Sequence, residues 1–261
     1  MSAAINCIED LRSSLEAAME RSAREDESAF KNKIKTYIIE SNVEETNLNS
    51  LKGLNGIKNT SNDNLKILKF KTESNEFKEF YLDIADKRFW KLYSLQDSAN
   101  TGRIIKNLVE SNYSRLDYLW LPSKVLERYM GLGKETGFSL KFKNKLNNLD
   151  QEIPQDVSMR FWGGGAKAIL KSLRDNQPID QGISLSSIGI NHFVEGGYCK
   201  ENISNIGKFT LMKGNSVDSH FNILEKIKND YSKIIENIET NYRVNFKKKG
   251  EMLTVSYRYE E

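Results

Sequence analysis

Near residue 65 the apolar period of this chain changes, and that change restricts its fold more than any other feature. Before it, Ile8, Leu11, Leu15 and Met19 recur at spacings of three and four, one stripe along a helix. After it, residues 65–71, 77–85 and 87–95 alternate apolar with polar, as strands with one inward face do. Strands then interleave with helices. Residues 101–112, 123–130, 165–176 and 216–240 read as helices, and 116–121, 138–142, 157–162, 183–190 and 208–212 as strands. Pro122 ends the first of those strands because it has no N–H for a ladder. Gly131 or Gly133 would cap the helix before it in a left-handed turn, and Ser216 is placed to N-cap the last helix. At the end of the chain, Tyr242, Val244 and Phe246, then Leu253, Val255, Tyr257 and Tyr259, alternate about a turn at Lys249-Gly250, which is a β-hairpin pattern. The expected fold is α+β, a mixed, mostly antiparallel sheet covered by helices with an N-terminal helical appendage.

Phe30, Ile34, Tyr37 and Ile38 share one side of a second helix over 27–40, so residues 1–40 form a helical segment. Residues 41–64, rich in Asn, Ser, Thr and Glu with Gly53 and Gly56 among them, read as a linker with at most a short helical turn. Residues 65–261 are then the α+β domain. Arg88-Phe89-Trp90 and Arg160-Phe161-Trp162 each precede a helical stretch, an echo that divides the domain into two similar strand–helix halves, 65–150 and 151–261.

Composition excludes several classes. With 38% hydrophobic, 29% charged and 10% aromatic residues, the chain can build a core and is neither collagen-like nor wholly disordered. No run approaches the roughly 18–20 apolar residues of a membrane span. The start, Met1 to Cys7, lacks a signal-peptide pattern, and Cys7 and Cys199 are too few and too far apart for a disulfide framework. A cytoplasmic protein with no membrane partner is expected. Abundant Asn, Lys and Ile with 3 prolines suit a low-GC prokaryote and an accessory system such as anti-phage defence.

The net charge of +3 conceals an asymmetry: residues 1–50 carry 6 basic and 10 acidic groups, 51–150 carry 18 and 12, and 151–261 carry 15 and 14. Within the basic middle, Lys66, Lys69, Lys71, Lys78, Lys87, Arg88 and Lys91 alternate with Phe70, Phe77, Phe80, Tyr81, Phe89, Trp90 and Tyr93. Cations for phosphates and rings for bases on one sheet would bind a nucleic-acid strand, whereas strict alternation would send the rings into the core and the lysines into water.

The second candidate is Arg160-Phe161-Trp162-Gly163-Gly164-Gly165-Ala166-Lys167, a strand entering a helix through three glycines. Arg160, Gly163, Gly164, Gly165 and Lys167 could hold an anion there, although neither a Walker loop nor a GxGxxG spacing is present. Gly131 to Gly137 reads as helix termination. Asp63, Glu76 and Lys78 have the spacing of metal-dependent restriction nucleases, so Mg²⁺ is the one cofactor considered, and only for that alternative; Asp83 and Asp86 could add ligands. His192, Cys199 and His220 show no zinc-site or Cys–His spacing, and no GxSxG motif occurs. The expectation is a nucleic-acid-associated binding protein. The alternatives are a metal-dependent phosphoesterase, nuclease or nucleotide-binding enzyme, and a non-catalytic subunit that meets a protein partner through its N-terminal helices.

Overall fold

Strand pairing organises residues 1–221, the larger of two compact units; the smaller comprises residues 222–261. The computed structural model describes residues 5–24, 34–72, 74–96, 98–143, 156–176, 183–242, 245–249 and 252–256. The chain runs α1 (Ile8–Arg24), β1 (Ile34–Ser41), a 3-10 turn (Glu45–Ser50), β2 (Gly56–Asn59), β3 (Leu65–Lys71), β4 (Phe77–Asp83) and β5 (Phe89–Ser94). It continues through α2 (Ser98–Ser111), β6 (Leu116–Tyr118), α3 (Ser123–Tyr129), β7 (Lys134–Lys143), β8 (Asp156–Trp162) and α4 (Ala166–Asn176). Then follow β9 (Ile183–Val194), β10 (Gly197–Ser204), β11 (Lys208–Gly214), α5 (Val217–Asn241), β12 (Asn245–Lys249) and β13 (Met252–Ser256).

Eleven strands make one sheet in the order β2-β3-β4-β5-β1-β11-β10-β9-β7-β8, with β6 also paired to β1. Its described pairings are all antiparallel, so the class is α+β. In the smaller unit β12 and β13 pair as the expected hairpin, with Lys249 opposite Met252, and Leu224, Ile227 and Tyr231 of α5 are buried.

The principal correction concerns β1. Residues 34–40, expected to be helical, form a strand at the centre of the sheet, with β5 on one side and β11 and β6 sharing the other; residues 27–33 lie outside the described residues. Ile34 through Ile39 are all buried, and a strand covered on both faces need not alternate. There is thus no second N-terminal helix at 34–40. The first, α1, buries Leu11 and Leu15 completely and lies against β11 and β1.

The 41–64 stretch contains an edge strand and contributes to the core. Leu48 and Leu51 join Leu68, Phe80 and Trp90 of the sheet and Ile105 and Leu108 of α2 in one hydrophobic cluster. Gly133 is extended, with φ −167°, rather than left-handed: β7 begins at once, and a Cβ on Gly133 would run into the backbone of Asn191. Strand β10 escapes the periodicity because Glu201 occupies one of its buried positions, between Cys199 and Ile203.

Register assigns each face of the β7–β11 half its chemistry. Directly opposed residues share a face, so Phe138 and Ile188 fall together, while Ser139 joins Arg160 and Ser187 on the other side. From Ser187 that second face continues through Ser204 on β10; two residues back, Asn202 is opposite Thr210 of β11. One face is apolar and buried, and the other is polar.

Candidate functional site

The polar face forms the floor of two adjoining cavities. The larger, of about 590 Å³, is lined by Lys134, Glu135, Thr136, Gly163, Gly164 and Asn191 among others, together with Lys200 and Lys213. The second, of about 500 Å³, is lined by Lys141, Arg160, Lys208, Asn202 and several serines. Trp162 and Met212 line both. Among the described residues, six cations therefore face the two cavities against one carboxylate, Glu135, in volumes that suit small ligands or one unit of a larger one.

Trp162 owes its position to two glycines on neighbouring strands. Gly137 is opposite both Trp162 on β8 and Gly189 on β9. A Cβ on Gly137 would lie 2.5 Å from Trp162 Cε3, and one on Gly189 would lie 2.8 Å from Cζ3. The indole thus rests over bare backbone, a seat that any side chain at either position would occupy. Although it is held in this way, 47% of Trp162 remains exposed. Its echo, Trp90, is 3% exposed and sits in the core.

A register shift between Glu135 and Gly137 leaves Thr136 as a bulge, and such bulges re-aim a side chain. The Gly163 N–H donates to the Thr136 carbonyl at 2.9 Å, tying the glycine loop to this bulge. Gly163 (φ 154°) and Gly165 (φ 81°) take conformations that side chains rarely adopt, which turns strand β8 sharply into α4. Of the five residues expected to hold an anion, Arg160, Gly163 and Gly164 reach the cavities, while Gly165 and Lys167 are not among the lining residues. The loop therefore forms part of a wall rather than a closed phosphate cradle.

Lys208 is the best-defined cation of the floor. Burial lowers its pKa from the ordinary 10.5, and its Nζ lies 5.8 Å from the centroid of the Tyr37 ring. Among the described residues no carboxylate pairs with Lys208 or with Arg160. A half-buried ammonium without a counter-ion has an incompletely met electrostatic demand, which an incoming anion would satisfy. Buried polar atoms without partners also occur here: Thr136 Oγ1, Asn191 Oδ1 and Asn202 Oδ1.

The basic strip of the middle strands is differently disposed. Lys66 pairs with Glu45 at 2.7 Å, Lys69 with Glu79 at 3.5 Å, Lys78 with Glu76 at 3.0 Å and Lys91 with Asp83 at 3.0 Å. Arg88 donates twice to Glu40 Oε1, at 2.8 and 2.6 Å. Lys71 and Lys87 are exposed. Phe70, Phe80, Phe89, Trp90 and Tyr93 are buried, so among the large rings of these strands Phe77 alone is prominently exposed. Five of the seven cations are thus already matched by carboxylates of the same unit.

Asp63, Glu76 and Asp83 do not converge, and among the described residues no three His, Cys, Asp or Glu side chains gather as a metal site requires. His192 Nδ1 lies 2.9 Å from the Leu132 carbonyl. His220 instead joins a buried network beneath the apolar face, a feature its sequence spacing does not reveal. His220 Nδ1 donates to Glu201 Oε1 at 2.6 Å and Nε2 lies 2.8 Å from Thr36 Oγ1. The Cys199 thiol donates to the same Glu201 oxygen at 3.4 Å. Burial, then the nearby Glu201 charge, pushes the Cys199 pKa well up, so this thiol is not an activated nucleophile.

A family model described as "MJECL33-like protein" matches residues 1–260. A protein of the archaeon Methanocaldococcus jannaschii, named as the uncharacterized protein MJECL33, is 27% identical over 219 residues. The match covers 82% of this chain and 49% of the relative, so the chain spans about half the length of the curated relative it matches. No solved structure matches the chain. No helix among the described residues is long and apolar enough to cross a membrane.

Proposed function

This chain belongs to the MJECL33-like protein family, and from its site we propose that it is a nucleic-acid-associated binding protein whose polar β7–β11 floor receives a single strand. The observation that carries this reading is the pair Arg160 and Lys208, matched by no carboxylate among the described residues, on a floor that also presents the open face of Trp162. Cations that track phosphates beside an aromatic surface for bases are what a single strand requires. The floor, rather than the β3–β5 strip, is the better seat because carboxylates already neutralise most of the strip. Binding here needs no catalytic constellation.

Fluorescence polarisation with a labelled single-stranded oligonucleotide over a salt series tests the reading. Each phosphate neutralised adds about 0.7 to the slope of log affinity against log salt for a single strand. The Lys208→Met and Arg160→Met variants should each weaken binding and flatten that slope by about one such step. An unchanged slope in both would remove the proposal.

A further inference from the structure

We propose that the larger cavity, beside Gly163 and Gly164, recognises a nucleobase that carries an exocyclic amine, stacked on the open face of Trp162 and read by Asn191 and Thr136. This rests on the nucleic-acid reading of the floor and specifies what the site takes. Three observations converge on it. The indole is seated on Gly137 and Gly189, so one ring face is covered by backbone while 47% of the residue remains exposed along both cavities. A flat, fixed indole offers a base the stacking surface it lacks in water. Thr136 Oγ1 and Asn191 Oδ1, both buried and both without a hydrogen-bond partner, belong to residues that line the same cavity as that indole. The polar pair also lines the larger cavity alone, while the cations divide evenly, Lys134, Lys200 and Lys213 here and Lys141, Arg160 and Lys208 in the neighbouring cavity.

A phosphate satisfies the cations but not Asn191. It brings only acceptors, and an amide oxygen needs an N–H or O–H directed at it. A base with an exocyclic amine supplies that donor, and its adjacent ring nitrogen can accept from the amide NH₂ of the same Asn, the pairing by which Asn reads adenine. The Thr136 hydroxyl can donate or accept, and it is held in place by the bulge and by the Gly163 N–H on its own carbonyl. Base in one cavity and phosphate in the other, with Trp162 between them, is the layout of one nucleotide unit.

The test is competition binding with short oligo-dA against the same oligomer built from purine nucleotides lacking the 6-amino group. Oligo-dA should bind about tenfold more tightly, the usual net worth of one neutral hydrogen bond. Asn191→Leu should abolish the difference, and Thr136→Val, nearly isosteric and less disruptive to folding, should reduce it. Trp162→Phe should weaken both oligomers together while leaving their ratio unchanged. Equal affinity for the two oligomers, or a preference that survives Asn191→Leu in a folded variant, overturns the inference. If the oligomers bind alike but lose affinity in Lys208→Met, base recognition falls and the phosphate-binding floor stands. If neither oligomer binds, both fall together.

Discussion

Trp162 has consequences at the scale of single residues because its place depends on what its neighbours lack. Trp162→Ala removes a ring half covered by backbone, so it should lower the melting temperature modestly while weakening single-strand binding by about 1–3 kcal/mol, the usual worth of one stacked base. Gly189→Ala should reduce both, since a methyl group there displaces the indole from its seat. A binding titration beside a thermal melt separates the two effects. Lys208 makes the opposite trade. Its folded pKa lies below the unfolded 10.5, so between those values the unfolded chain holds the proton and the folded one has released it. Stability from this group therefore rises as pH climbs through that alkaline window, whereas phosphate binding falls. Lys208→Met should accordingly be more stable than the parent at neutral pH, lose the alkaline rise, and bind more weakly. Thermal melts and titrations at matched pH check all three, and a destabilised Lys208→Met would contradict the account.

At the scale of elements, β1 supports the whole sheet. Ile38 is wholly buried in it, and Ile38→Ala should cost about 2–5 kcal/mol in urea denaturation. The buried network beneath the sheet should be as sensitive. His220→Leu leaves a fully buried Glu201 carboxylate with only the weak Cys199 thiol donor and should cost about 3–5 kcal/mol, much of which Glu201→Met in the same chain would restore. A single-variant cost below about 1 kcal/mol would show that Glu201 is not held as described. These two elements also mark where sequence patterning gives out. Strands β3, β4 and β5 are legible because polar residues punctuate their apolar ones in the sequence, even though β3 and β5 are almost wholly buried, and α1, α2, α4 and α5 because their stripes are long. β1 is illegible because a strand covered on both faces loses its period, and β10 because Glu201 interrupts its apolar side. Arg160, Gly163 and Gly164 stand out in the sequence as a strand-to-helix loop. Lys208, Asn191 and Thr136 do not, since only the register of β7, β9, β10 and β11 brings them to one face.

Charge takes on its meaning at the scale of the molecule. The excess of basic residues in the middle of the chain is real in sequence, yet Glu40, Glu45, Glu76, Glu79 and Asp83 cancel most of that strip locally. The near-neutral last third supplies Arg160, Lys200, Lys208 and Lys213 to one floor. Totals along the chain misplace the electropositive surface because side chains pair across strands rather than along them. The most direct measurement is polarisation of a labelled single strand with two charge-reversal variants of equal size, Arg160→Glu with Lys208→Glu and Lys71→Glu with Lys87→Glu. Both reverse two cations, so non-specific electrostatics predict equal losses. The account predicts that the floor variant loses binding by at least about a hundredfold at moderate salt, two charge-assisted contacts at roughly 1.5–3 kcal/mol each, while the strip variant changes only a few-fold. Equal losses, or a larger loss from the strip, would contradict the assignment of the β7–β11 floor.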